Sequence, residues 1–373
     1  MVSPTPPPVG GIATWTETLI RKGLPAPWKV RLVDTRLIRR TVADSERNFV
    51  VEVVRALRVF GSLGRALTIG PKDVVHINAG LSESGVFRDW ACVVMARTRR
   101  TPVVLNLRGH FILPHDGSLM EKLRRGAYLD MFKRAALIAP VSLASRQEIH
   151  KAGDFAQKTE VVPNFVDCSS VPCFPREASA RTFTAVFVGA LLPAKGTATL
   201  LTIAALAPDV RFVVIGSAPS GQEHKLVDEA RRRGLLPRVL FAGPKDRVAT
   251  LQWMSQASVY VFPSHAEGFT VSVAEAMAAG LPVIESPVGA IPGMIDNGIG
   301  GFLIPNDKPA QYASAIKRLR DEPRLALSMG AHNRAKAVRE FDFPVVIQKW
   351  IRLYEEISSG QQALRVSSRG YRR

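Results

Sequence analysis

The chain has 373 residues, 46% of them apolar and 7% aromatic, enough to bury the cores of two or three domains. Fifty Lys+Arg against 32 Asp+Glu give a formal charge of +18, which suits anionic lipid, nucleic acid or pyrophosphate compounds as partners. No apolar run approaches the ~18 residues of a membrane-spanning helix. The opening Met-Val-Ser-Pro-Thr-Pro-Pro-Pro lacks the basic and apolar regions of a secretory signal, so a cytoplasmic protein is expected. Three cysteines, Cys92, Cys168 and Cys173, without C-x-x-C spacing point to reduced thiols. The charge is spread along the chain: 26 basic against 16 acidic residues in 1–180, and 24 against 16 in 181–373. Local clusters are Arg36/Arg39/Arg40, Arg97/Arg99/Arg100, Arg124/Arg125, Lys133/Arg134 and Arg369/Arg372/Arg373. A merely basic soluble surface is the alternative reading.

In chain order, residues 74–77 read as a strand, 87–98 as a helix, 103–107 as a strand, 120–137 as a helix, 137–142 as a strand, 143–151 as a helix and 160–162 as a strand. Short apolar runs alternating with helical patterns predict a parallel sheet with crossover helices. Residues 165–181 break the pattern with prolines and small polar residues. Strand patterns then resume at 185–188, 212–215, 239–241, 259–262, 283–284 and 301–304. The fold class is therefore α/β, with two doubly wound units whose ligands bind at the carboxyl ends of the strands.

The densest chemistry lies in Glu267-Gly-Phe-Thr-Val-Ser-Val-Ala-Glu275. Gly268 lets backbone approach a ligand closely. Residues 274–279 have strong helix-forming composition, and Gly280 and Pro282 stop that helix. Its N-terminus, around Thr270, offers free N–H groups and a positive dipole end to a phosphate. Glu267 and Glu275 would stand roughly 12 Å apart if every residue between them were helical. They therefore suit different parts of one long ligand better than a shared proton; a helix acid plus a solvated acid is the plainer alternative. A second segment ends a strand at Gly189 and delivers Lys195 before a helix, placed to neutralise a diphosphate. A third, Gly10-Gly11, opens the first helix and by itself is a weak phosphate signal.

These segments together resemble the retaining glycosyltransferases of family 4, the group 1 type with the GT-B fold. The resemblance runs over nearly the whole chain and is densest over 262–305, with the Gly10-Gly11 loop, Val162-Pro-Asn-Phe-Val-Asp167 and 189–196 in support. It implies two Rossmann-like domains facing each other across a cleft: an acceptor-side domain over 1–167, a linker at 168–181, and a nucleotide-sugar domain over 182–340. A helix over 341–358 would cross back to the first domain, and 359–373 would form a basic, flexible tail. It also implies roles. Glu275 would hold the donor ribose. Glu267, with backbone at Gly268, Phe269 and Thr270, would hold the sugar near the reacting centre. Lys195 would stabilise the departing diphosphate beside Gly189, and Gly10 and Gly11 would line the cleft. No cofactor or metal is expected, and the chain has no Asp-x-Asp element.

Three positions depart from the family pattern. Ala190 stands where Arg is frequent. Arg108 occupies the register of a family His, with His110 two residues on, and either could face the sugar. Little sequence precedes the Gly-Gly loop, so the chain begins at the end of the family's first strand, consistent with a mis-placed start or a weakened first domain. Residues 120–137 mix Met, Leu, Tyr and Phe with five cations. They could meet an anionic membrane surface on its inner, cytoplasmic face and admit a lipid-linked acceptor, or simply cover the core. The leading expectation is a hexosyltransferase of polysaccharide or glycolipid assembly, using a nucleotide-sugar donor and a glycan or lipid-linked acceptor. A soluble transferase acting on a small sugar and a non-catalytic partner subunit are alternatives. A sugar-nucleotide epimerase fits the E-x7-E context poorly. No nucleic-acid partner is expected, since no RNA- or DNA-binding motif accompanies the charge.

Overall fold

The structure, a computed structural model, describes residues 1–6, 10–36, 49–69, 74–81, 85–115, 117–172, 182–218 and 222–360. The chain divides into two compact units: Met1–Asn164 with Val346–Arg373, and Phe165–Val345. Most of the expected linker, Cys173 within it, and nearly all of the expected tail lie outside the described residues.

The first unit runs β1 (Val2–Ser3), α1 (Gly11–Lys22), β2 (Val33–Asp34), α2 (Phe49–Thr68), β3 (Val75–Ala79), α3 (Gly85–Thr98), β4 (Val103–Leu107), α4 (Leu119–Arg134), β5 (Leu137–Pro140) and α5 (Leu143–Ala152). Its strands pair in the order β2-β1-β3-β4-β5, all parallel. Being covered on both faces, β3 to β5 are buried at every position, and β4 and β5 read as unbroken apolar runs apart from Asn106. One face, with Ile77, Leu105 and Leu107, packs on Leu63, Val93, Met131 and Phe132 from α2, α3 and α4. The other carries a polar ladder, His76, Asn78 and Asn106, the last two in register.

Helix α4 starts where Ser118 and Glu121 cap each other's backbone N–H groups. It buries Ala127, Tyr128, Met131 and Phe132 against Phe111 and Phe155, so its last two turns cover the core. The strand expected at 160–162 is not a strand. Glu160 and Val162 donate to Ile138 and Pro140, but the pairing is a single bridge at Thr159. Pro140 has no N–H to return, and Pro163 cannot extend the ladder.

The second unit runs β6 (Thr184–Val188), α6 (Thr197–Leu206), β7 (Arg211–Ile215), α7 (Gln222–Arg232), β8 (Val239–Gly243), α8 (Arg247–Gln256), β9 (Val259–Phe262), α9 (Val271–Ala278), β10 (Val283–Glu285), α10 (Ile291–Met294), β11 (Gly301–Leu303), α11 (Pro309–Asp321) and α12 (Pro323–Lys336). Its parallel order is β11-β10-β9-β6-β7-β8. Connections run outward in both directions from β6 and β9, which makes the gap between their carboxyl ends the topological switch point, where such sheets bind ligands. In the first unit the corresponding point lies between β1 and β3.

Residues Ala337–Phe341 form a π-helical turn before α13 (Phe343–Ser358), so the terminal helix begins two residues later than expected. Asp342 breaks the helix: its carboxylate accepts from its neighbour Phe343 (2.9 Å) and from Cys168 (3.0 Å). From Val346 onward α13 belongs to the first unit. There Trp350 and Tyr354 lie against His76, with ring centroids 4.7 and 5.9 Å away.

Candidate functional site

Two loops at the β6/β9 switch point bring together the residues expected from sequence. After β6 the chain passes Gly189 and a short 3-10 turn, Pro193–Lys195, into α6. Gly196 makes the bend with φ +73°, and a Cβ there would lie 1.8 Å from the Pro263 carbonyl oxygen, so only glycine lets the lysine loop sit this close to the loop after β9. The two loops are also sewn by His265 N–H donating to the Ala194 carbonyl at 2.9 Å. Lys195 Nζ thereby reaches Glu267 Oε1 at 2.7 Å, and Ser264 Oγ donates to the same oxygen at 2.7 Å. Glu267 is only 7% exposed, so its charge relies on these two donors.

Beyond Glu267, Gly268 accepts from Ala290 (2.9 Å), and Gly289, with φ +58°, lets the next loop touch the Glu267 carbonyl; a Cβ there would lie 1.8 Å from it. Phe269 is buried and packs edge-on against Phe341, centroids 5.5 Å apart, so its side chain serves the core and its backbone is what faces the loop. Thr270 is the N-cap of α9 but makes no capping bond, and its buried hydroxyl has no partner. The first N–H groups of α9 thus point at the switch point with their positive dipole end.

Glu275, in the second turn of α9, is separate from the Lys195–Glu267 pair. Its partner is Arg247, Nε to Oε1 3.0 Å. Burial raises the Glu275 pKa, and the Arg247 charge and hydrogen bond pull it back. Sequence reading missed Arg247, which opens α8 after the Asp246 cap and carries no local signal of a partner 28 residues away. It also missed Glu285 at the end of β10. Glu285 is 0% exposed, and neither of its oxygens has a partner. Burial holds its pKa well above the usual carboxylate range, and nearby Glu267 adds to that.

In the first unit, Gly10 is the exposed, extended N-cap of α1, and Gly11 opens the helix with no side chain capping it. Arg108 follows β4 directly. It is 6% exposed and lies over the Trp15 ring, 4.2 Å to the centroid. His110 is partly buried, and its Nδ1 has no partner. Behind Arg108 the polar ladder is closed by neutral bonds. His76 Nδ1 lies 2.6 Å from the Tyr354 hydroxyl and its Nε2 3.1 Å from Asn78 Oδ1. Asn106 donates to Asn78 Oδ1 at 3.0 Å, and Asn78 to Ser3 Oγ at 2.9 Å. Burial pushes the His76 pKa down to about 3, with the Arg108 charge adding to the effect, so this imidazole is neutral at pH 7.

No helix among the described residues is long and apolar enough to cross a membrane, and no described group of His, Cys, Asp or Glu could hold a metal. Cys92 and Cys168 are buried free thiols.

The family model described as "Glycosyl transferases group 1" matches residues 182–322. The phosphatidyl-myo-inositol mannosyltransferase of Mycobacterium leprae is 30% identical over 318 residues, which cover 83% of this chain and 80% of that protein. The D-inositol 3-phosphate glycosyltransferase of Streptomyces griseus subsp. griseus is 35% identical over 163 residues, 41% of this chain and about a third (34%) of that relative's length. Among solved structures, sucrose-phosphate synthase from Thermosynechococcus elongatus superposes with a TM-score of 0.75 at 19% identity, covering 96% of each chain. Anabaena HepE in complex with UDP gives 0.70 at 22% identity, covering 80% of this chain and 82% of that one. At such identities these two similarities concern the fold, two parallel α/β sheets with alternating helices.

Proposed function

This chain belongs to the group 1, family 4 glycosyltransferases, and from that premise we propose that it moves a hexose-type sugar from a nucleoside diphosphate donor to an acceptor of glycolipid or polysaccharide assembly, with retention of anomeric configuration and without a metal. The observation that carries the reading is the β6/β9 switch point. It combines one cation, Lys195, one buried carboxylate, Glu267, and an uncapped helix N-terminus at Thr270.

The chemistry follows from these groups. When the sugar–phosphate bond breaks, charge develops on the diphosphate. Lys195 and the α9 N–H groups stabilise that charge in place, with no reorganisation at the moment of reaction. Glu267 accepts hydrogen bonds from sugar hydroxyls and exchanges part of its Lys195 contact for them. Glu275, fixed by Arg247, offers its carboxylate to the ribose. The remaining acceleration is positional. Ala190, where the family often carries Arg, leaves Lys195 with a larger share of the leaving-group charge.

For the acceptor, relatives named for inositol phosphate and phosphatidylinositol support a polyol or sugar on an anionic carrier. The first turns of α4 support access from an anionic membrane surface: Leu119 is 75% exposed, and Met120 and Leu123 are exposed beside Lys122 and Arg125. Sedimentation with anionic and with neutral vesicles tests that surface. Binding to neither sends the acceptor reading to a small soluble sugar.

The test of the donor site is a thermal-shift panel of UDP, GDP, ADP and their sugar conjugates on wild type and Glu275→Ala. A ligand at 100 times its Kd stabilises by about 2.7 kcal/mol. Stabilisation by one nucleotide family, reduced in the variant, supports the reading. No shift with any nucleotide on folded protein sinks it and favours a non-catalytic partner subunit. Proton NMR of the product's anomeric signal, with and without EDTA, tests retention and metal independence.

A further inference from the structure

Arg108 is a buried cation that no acid among the described residues neutralises. Its Nε and Nη2 groups are sealed from solvent and have no acceptor. These are the two donors on one edge of the guanidinium, the fork that grips a carboxylate or phosphate with two parallel bonds. Among the described residues the one ionisable group whose field favours its charge is the Tyr354 phenol, and burial raises that group's pKa and keeps it neutral. His76, the other titratable neighbour, is neutral as well. Burial lowers the Arg108 pKa to about 9, which still leaves a cation at pH 7. Stacking on Trp15 recovers only part of what burying an unpaired charge costs.

A second observation points to the same place. Asn106, two residues earlier on the same face of β4, keeps a buried Oδ1 with no partner. Both groups stand at the carboxyl end of β4, the ligand end of a parallel sheet. Trp15, under the guanidinium, lies one turn from the uncapped N-terminus of α1.

We infer that the first unit holds a subsite for one acidic group, a carboxylate or a phosphate carried by the sugar that binds there, with Arg108 as its counter-ion and Asn106 as acceptor for an adjoining hydroxyl. The acid reaches the fork by turning the guanidinium off the Trp15 face. This narrows the substrate class of the transferase reading and rests on it: one of the two reacting sugars is acidic. A neutral His at this position could not discriminate in that way, whereas a fixed cation rejects the neutral sugar by leaving its own donors unpaired.

The test uses the full chain with UDP present. Glucose, glucuronate and glucose 6-phosphate, and separately UDP-glucose and UDP-glucuronate, are titrated into wild type, Arg108→Lys and Arg108→Met. Wild type is expected to bind an acidic sugar at least tenfold tighter than its neutral counterpart, and which acid wins separates carboxylate from phosphate. Arg108→Lys keeps part of the preference and Arg108→Met loses it. Arg108→Met also melts no lower than wild type, because an unpaired buried charge has been replaced by an apolar chain. Equal binding of acidic and neutral sugars by wild type overturns the inference. So does a preference that survives in Arg108→Met, or an Arg108→Met protein that still binds UDP but melts well below wild type, which makes Arg108 a structural residue. Failure of wild type to bind UDP at all is a different outcome, and removes the donor reading beneath it.

Discussion

The two sheets end their strands on opposite electrostatics. In the second unit two of the buried acids have been given cations: Glu267 has Lys195 and Ser264, and Glu275 has Arg247. At the carboxyl end of β4 in the first unit the buried charge is a cation, Arg108, and its titratable neighbours Tyr354 and His76 are neutral, while the buried acid elsewhere in that unit, Asp89, is paired with Arg88. The two pairs of the second unit are made within the chain and can be held rigid before a ligand arrives. The arrangement at Arg108 is incomplete, and its cost falls on folding until something anionic offsets it. Two units of the same α/β class thus treat buried charge differently: one pairs Glu267 and Glu275 internally, the other leaves Arg108 without an acidic partner among the described residues.

The comparison is broken most directly at Lys195. Lys195→Ala should lower kcat by roughly 100- to 1000-fold, the scale of losing one preorganised stabiliser of developing charge. Donor KM should change far less, as steady-state kinetics over donor concentration would reveal. A parallel fall in kcat and rise in KM would mean that Lys195 holds the ground state equally.

Acid should attack the first unit through His76. Its folded pKa, about 3, lies below the ordinary value of 6.5, so the unfolded chain takes up a proton that the folded chain refuses. The contribution is absent above pH 6.5 and grows as pH falls, at about 1.4 kcal/mol per unit. Urea melts at pH 6.5 and 4.5 should differ by roughly 2 kcal/mol from this group, and His76→Gln should flatten the difference.

Pairing in the second unit predicts a coupling energy. A double-mutant cycle of Arg247→Ala and Glu275→Ala on stability should give about 0.5–3 kcal/mol of favourable interaction. A value near zero would make Arg247 a passive neighbour.

A last test, read as a trend with pH and not as a magnitude, belongs to Glu285. Its folded pKa is raised, so as pH climbs above about 4.5 the unfolded chain gives up a proton that the folded chain retains, and stability declines. Glu285→Gln does not titrate. Its melting temperature relative to wild type should therefore rise between pH 5 and pH 8, and a flat difference would place the proton elsewhere.

Much of this was legible in the sequence, for physical reasons. Strands buried on both faces announce themselves as apolar runs, and Gly and Pro mark where Lys195 and Glu267 must be delivered. The two-residue strands β1 and β2 were not legible, because they are too short to show a period. Residues 160–162 have a strand's composition, but Pro140, on another segment, denies them a ladder. Arg247 and Glu285 were hidden because their meaning depends on which strand becomes interior. A lone Glu at a strand end reads as solvated until β10 is found between β9 and β11. Sequence leaves Arg108 and His110 on equal terms, and in the structure each carries a buried nitrogen with no partner among the described residues.

The bond between His76 and Tyr354 joins residues 278 positions apart, and Trp350 stacks beside it. On the ribosome, the first unit's sheet emerges with the face around Trp15 and His76 uncovered, and waits for about 180 further residues before α13 is made. At ordinary elongation rates that delay is on the order of 10–40 s. The nascent protein therefore spends about half of its synthesis with an aromatic, sticky surface on display, and its yield in the cell should depend on chaperones in a way its finished stability does not reveal.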